Sequence, residues 1–236
     1  MKITQNDRAK YLQPAQFPGC DIHCIHVLID DLEEVIGNMR SEISDTSWIN
    51  GLGSIDQKIY KVNATKTIKK IVEIITNRVA NELNDKVGEY MISYTAQQVL
   101  VDSLQHIRLP LAELLKEKVS GNPGFDFHTI SQNKLLNFGE AKFSLDDTAK
   151  DRAINQVSDF IDARKDFGEL LSLKPLLNRI DSIIVENMDN EKRGYIAAFS
   201  FNAKNIDIIF RNALNSDAMK NIGKYQEFYL IAIQVC

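Results

Sequence analysis

Asp126, Glu140 and Lys142 are the residues of this chain whose types and spacing point most directly to chemistry. Glu140 and Lys142 stand two apart in LLNFGEAKFSL, and residues two apart in an extended segment share a face. A carboxylate and an ammonium in the middle of an apolar strand lose hydration when buried, so they need partners, a metal or an opening to solvent. Asp126 lies fourteen positions before Glu140, in FDFHTI, directly after the turn-forming SGNPG. Pairing of the two segments as a hairpin would bring Asp126 beside Glu140. Two carboxylates at such a distance repel, a divalent cation removes the penalty, and all-oxygen ligands suit Mg²⁺ or Mn²⁺. That set can serve phosphodiester hydrolysis, which needs a Lewis acid for developing charge and a positioned water. The plainer reading makes Asp126 a turn cap and Glu140–Lys142 a surface pair of little energetic weight.

The elements that must position these residues can be read from hydrophobic periodicity. The first twenty residues are polar, carry Pro14 and Pro18, and read as an irregular arm. DIHCIHVLI then reads as a strand or buried segment, DDLEEVIGNMRSEI as a helix and positions 44–54 as a loop. Ile68, Ile71, Val72, Ile75, Val79 and Leu83 recur at three- and four-residue steps and predict an amphipathic helix over 64–83. A second helical pattern runs from Val87 to Leu104 behind Asn84 or Asp85 as cap, with Gly88 inside it, and a further helical piece covers 108–118. The period then drops to two for the FDFHTI and LLNFGEAKFSL hairpin. Thr148 with Asp151 resembles a capping box opening a helix, a helical stretch follows around 170–185, and 195–201 and 228–235 read as strands. The pattern reads as one α/β or α+β domain, with α/β the expected fold class and a helical N-terminal portion over 1–84 packed on a core over 85–236.

Composition narrows the function classes. The 44% hydrophobic and 25% charged residues, with only 11 Gly and 5 Pro, exclude disordered and collagen-like readings. No apolar run nears the roughly 18 residues of a membrane span, and MKITQNDRAK lacks a signal peptide's apolar stretch, so a cytoplasmic protein is expected. Three cysteines, Cys20, Cys24 and Cys236, make a disulfide framework improbable. A net charge of −4 gives little bulk attraction for nucleic acid, so any nucleic acid must be held locally or by a partner.

Pro123-Gly124-Phe125-Asp126 followed by Phe138-Gly139-Glu140-Ala141-Lys142, with Glu89 earlier in Gly88-Glu89-Tyr90, resembles the PD-(D/E)xK nuclease superfamily. The resemblance spans roughly 85–165. It implies a restriction-endonuclease-like core with a mixed central sheet flanked by helices, and Mg²⁺ or Mn²⁺ held by Asp126, Glu140 and the Ala141 carbonyl. It further implies Glu89, the acidic residue of the first core helix, as another catalytic and metal-holding carboxylate, and Lys142 as the group that orients or activates the attacking water. RecB-like members carry Gln-x-x-x-Tyr on the next helix; Gln156 stands in that place here, with Phe160 for the Tyr. More narrowly, the GEY helix, the NPGFDF turn and FGEAKF are similar to the small nuclease component of Hachiman-type antiphage systems, which works beside a helicase. The implied function is a DNA endonuclease in an antiviral assembly with a helicase or translocase partner. The competing class is a non-cleaving nucleic-acid-binding or regulatory module that holds a larger enzyme.

Weaker signals carry plainer explanations. Cys20, His23, Cys24 and His26 look like a zinc cluster, but on a strand His23 points away from the other three, so no structural zinc is expected. His128 shares the predicted face of Asp126 and could approach the site, although packing is the commoner role for such a residue. Lys61, Lys66, Lys69 and Lys70 could touch phosphates but read first as a solvated helix face. Nucleophilic-triad and phosphate-loop signatures are absent from the sequence.

Overall fold

GYIAAFS and FYLIAI are apolar on both faces, so each must be covered on both sides, as parallel strands in α/β proteins are. The computed structural model describes residues 1–6, 11, 16–77, 83–116, 124–144, 148–202 and 205–235. Its strands are β1 (Lys2–Asn6), β2 (Asp21–Ile29), β3 (Ile107–Arg108), β4 (Phe127–Ile130), β5 (Leu136–Lys142), β6 (Gly194–Ser200) and β7 (Glu227–Val235). Its helices are α1 (Leu32–Ser44), α2 (Ser54–Thr76), α3 (Asp85–Leu104), α4 (Ala112–Leu115), α5 (Ala149–Asp162), α6 (Lys165–Ile180), α7 (Ser182–Asp189), α8 (Ile206–Leu214) and α9 (Met219–Ile222). The strands form one mixed sheet in the order β1-β2-β7-β6-β5-β4-β3, and the chain is α/β. β2, β7, β6 and β5 run parallel, while the pairs β1–β2, β5–β4 and β4–β3 at the two sides are antiparallel.

Each face of the sheet has its own core. Phe138, Tyr195, Phe199, Phe228 and Leu230 pack under α5 to α9, and Ala141, Ile196, Ala198, Ile231 and Ile233 pack under α1 and α3. α2 serves both layers: Tyr60 and Ala64 join the first core, Ile71 and Ile75 the second. The first 84 residues also supply two strands to the common sheet, with β2 paired to β7 from Asp21↔Glu227 to Ile29↔Val235.

Several elements differ from their sequence expectation for local reasons. The N-terminal arm contains β1, a mostly polar KITQN at the sheet edge that is held by backbone pairing with β2 and by Ile3 against the second core. α2 begins ten residues before the expected start, after Gly53, and ends at Thr76; Val79 lies outside the described residues and Leu83 outside the helix. Gly88 lies within α3, which starts at Asp85 with the Asn84 side chain accepting from the Val87 N–H at 3.0 Å. The piece over 108–118 opens as strand, because Ile107 and Arg108 pair with Ile130 and Thr129, and only Ala112–Leu115 is helical among its described residues. Thr148 does not cap α5 through its side chain, and Asp151 pairs with Lys150 at 2.8 Å instead, so no capping box forms. The stretch around 170–185 divides at Asp181, whose extended backbone ends α6 and whose carboxylate caps α7 through the Ile183 N–H at 3.1 Å.

Candidate active site

The hairpin of β4 and β5 decides where the chemistry sits. Phe127 lies opposite Gly139, so Asp126, one residue ahead of β4, lies beside Glu140 and Ala141. The Asp126 N–H donates to the Gly139 carbonyl at 2.9 Å and the Ala141 N–H donates to Asp126 Oδ2 at 2.8 Å. At the start of α4, the Ala112 N–H donates to the Asp126 carbonyl at 3.0 Å. Strand alternation puts Glu140 and Lys142 on one face, where Lys142 Nζ donates to Glu140 Oε1 at 2.6 Å.

The third carboxylate comes from α3. Gly88 carries no Cβ because one would collide with the Phe143 ring, and this close approach sets the next residue, Glu89, with Oε1 3.8 Å from Lys142 Nζ. Arg152, in the first turn of α5, reaches the same oxygen at 3.9 Å. Tyr90 donates to Glu113 Oε2 at 2.6 Å, so the acidic rim extends to α4.

The electrostatics are those of excess buried negative charge. Glu140 is 1% exposed, and its Oε2 accepts from no donor among the described residues, the Asp126 carboxyl being the group with which it can share a proton. Burial, and then the Asp126 charge, hold the Glu140 carboxyl well above its ordinary range despite Lys142. Burial pushes Asp126 up to about 6, against the pull of Lys142 and the Ala141 N–H. Burial likewise raises Glu89, with Lys142 and Arg152 opposing. For Lys142 burial disfavours the charge, but Glu140, Asp126 and Glu89 together hold it above its usual value.

The other singled-out residues divide clearly. Gln156 is half-buried one turn beyond Arg152 and makes no side-chain hydrogen bond among the described residues. Phe160, another turn on, belongs to the core with its ring 5.1 Å from that of Phe125. His128 is fully buried and turned to α6, where Nε2 meets Glu169 Oε2 at 2.6 Å, so it does not serve the Asp126 carboxylate. Burial works against the charge of Glu169, yet His128 and Lys116 hold its carboxyl below the ordinary range. His23 stacks on Tyr229 and His26 meets Phe201, on opposite faces of the sheet. Lys61, Lys66, Lys69 and Lys70 are exposed on α2. Sequence reasoning missed Arg152, Tyr90, Glu113 and Glu169; only Arg152, one turn before Gln156, had a usable signal in its spacing.

Among the described residues no group of three His, Cys, Asp or Glu side chains is gathered for metal binding. What is gathered is a carboxylate pair, Asp126 and Glu140, with one oxygen left over. This donor set fits a hard divalent cation in chemistry and charge, with the Ala141 carbonyl as a further oxygen. At the carboxyl ends of the parallel strands opens a cleft of about 530 Å³ lined by Phe143, Ser144, Ser200, Phe201, Asp31 and Glu33, and none of Glu89, Asp126, Glu140 or Lys142 lines it. Comparison with family models, curated proteins and solved structures finds no match to this chain. No helix among the described residues is long and apolar enough to cross a membrane.

Proposed function

We propose that this chain is a metal-dependent DNA endonuclease with a restriction-endonuclease-like core of the PD-(D/E)xK kind. The observation that carries the reading is Glu140: a buried carboxylate set against a second one, with a single adjacent lysine and a spare oxygen. A buried acceptor without a donor costs about 1–3 kcal/mol, and a bound cation, or a proton shared with Asp126, would offset that cost at Glu140. The element order α3, β4, β5, α5, which delivers Glu89, Asp126, Glu140-x-Lys142 and Gln156 in turn, also agrees with that family.

In this reading Asp126, Glu140 and the Ala141 carbonyl hold Mg²⁺ or Mn²⁺, with Glu89 on its outer side. The cation, when bound, supplies Lewis acidity toward a phosphate oxygen and acidifies water. Lys142 remains charged beside Glu140 and orients the attacking water through its ammonium hydrogens. Arg152, about half exposed, is available to a phosphate at the rim, and Gln156 lies one turn along the same helix face. Incubation of the purified chain with plasmid and linear DNA, in Mg²⁺ or Mn²⁺ and with a chelator control, tests the activity. Metal-dependent scission is expected; its absence under both metals, alone and with the partner gene product, would favour the non-cleaving module.

A helicase or translocase partner in an antiviral system belongs to the same proposal. Its support is α2, where Ile55, Ile59 and Val62 recur at i, i+4 and i+7 and are 72%, 52% and 60% exposed. Lys58, Lys61, Lys66, Lys69 and Lys70 on that helix are exposed and make no ion pair among the described residues, in a chain of net charge −4. Such a face fits an acidic, partly apolar protein surface. Co-purification should be lost on Ile59→Glu with the fold intact; retention would remove α2 from the contact.

A further inference from the structure

The segment that carries Asp126 is gripped from α6 at two points. Glu169 is 3% exposed, and its Oε1 accepts from the Phe125 N–H at 2.9 Å while its Oε2 meets His128 Nε2 at 2.6 Å. Asp126 lies between these attachments. Lys116, just past α4, closes on the same Oε1, so the helix turn that caps the Asp126 carbonyl is tied to the same carboxylate. At Gly124 a Cβ would collide with Glu169 Oε1, so the chain approaches the carboxylate as only glycine permits.

Burying a carboxylate requires compensation, and every partner found for Glu169 is on the Asp126 segment or next to it. The carboxylate fixes the peptide before Asp126 and the side chain two residues after it. Asp126 is otherwise set by the Gly139 carbonyl and the Ala141 N–H of β5. We infer that Glu169, remote in sequence from the Glu-x-Lys strand, is the positioning residue that holds Asp126 in register with Glu140. The inference rests on the metal-nuclease reading. Glu169 itself touches neither the metal donors nor substrate; it acts through residues 124–128.

Full-length wild type, Glu169→Gln and Glu169→Ala are compared by thermal stabilisation across a Mn²⁺ titration and by plasmid cleavage in Mn²⁺. Glu169→Gln keeps an acceptor for the Phe125 N–H and an amide that can face His128. It should fold and raise the Mn²⁺ half-saturation only about threefold, because hydrogen bonds to charged groups are roughly twice as strong as neutral ones. Glu169→Ala removes both attachments and should raise that half-saturation by about tenfold or more and lower kcat, with the KM for DNA unchanged. A folded Glu169→Ala with wild-type Mn²⁺ half-saturation and kcat overturns the inference, even if its melting temperature falls. If Glu169→Ala does not fold, Glu169→Gln decides by the same criterion. A wild type that neither cleaves nor gains stability from Mn²⁺ defeats the nuclease reading and this inference with it. A responding wild type with unmoved variants defeats only the role of Glu169.

Discussion

β5 and β6 run parallel, and each carries a buried pairing of carboxylate with cation at one end. At the amino end of β6, Arg193 and Asp166 are both fully buried with Arg193 Nε 2.6 Å from Asp166 Oδ2. The Tyr195 hydroxyl donates to the same oxygen at 2.8 Å, and the Phe167 N–H donates to Oδ1 at 2.9 Å. The guanidinium is further held by the Glu191 carbonyl and lies over the Phe167 and Tyr225 rings. At the carboxyl end of β5, Lys142 faces Glu140, Asp126 and Glu89, and Glu140 Oε2 accepts from no donor among the described residues. One centre has a cation for its carboxylate and every oxygen engaged. The other sets three carboxylates against Lys142 and, at the rim, the half-exposed Arg152, with one Glu140 oxygen that accepts from no donor among the described residues. Buried charge alone does not separate the two centres; the Glu140 oxygen without a donor among the described residues does.

The largest effect expected from this contrast is catalytic. Lys142→Ala should reduce cleavage by about 10²–10³-fold, the range for loss of one positioned hydrogen-bond donor in an active site, while Mn²⁺ still stabilises the variant. Single-turnover cleavage beside a metal titration of the melting temperature measures both, and undiminished cleavage would break the comparison at its functional end.

Next comes Arg193→Leu, which strands Asp166 without its cation and should lose about 3–5 kcal/mol in urea denaturation. Asp126→Asn in chelator should leave stability unchanged or raised, because it relieves repulsion and keeps an oxygen for the Ala141 N–H. Equal losses from the two variants would erase the distinction between the centres.

The pH dependence sharpens the same point. Asp126 is raised from 3.8 to about 6 in the folded chain, so the native state holds a proton that the unfolded state has already released. The stabilisation from that proton is complete below about 4 and is lost as pH rises through about 6, and the raised Glu140 acts in the same direction. Melting temperatures in chelator should fall more steeply with rising pH in wild type than in the Asp126→Asn, Glu140→Gln double variant, which keeps the raised Glu89. The opposite contribution of Glu169, present in both proteins, cancels in the difference.

Smaller effects probe the delivery of Glu89. Gly88→Ala drives a methyl into the Phe143 ring and should cost about 1–3 kcal/mol by overpacking. Asn84→Ala, which removes the cap of α3, should cost about 1 kcal/mol in thermal or urea melts. A neutral Gly88→Ala would show that α3 can move away from Phe143, and with it that Glu89 is not fixed beside Lys142.

The hairpin, the Asp126–Glu140–Lys142 set, β2, β6, β7 and the body of α3 were all legible in the sequence, because each depends on short-range alternation, periodicity or a cap. β1, β3 and the break at Asp181 were not, since a polar edge strand and a helix division depend on what lies beside them rather than on local pattern. By itself the sequence determined which residues could do chemistry and that the chain is α/β: charge in an apolar strand and runs apolar on both faces are local facts. Only the tertiary structure decided which buried carboxylates are satisfied. It turned His128 from a candidate for the site into a partner of Glu169 and brought Arg193 to Asp166 across 27 residues. The physical reason is that hydrogen-bond satisfaction and desolvation are set by neighbours distant along the chain, which no spacing rule within a segment can supply.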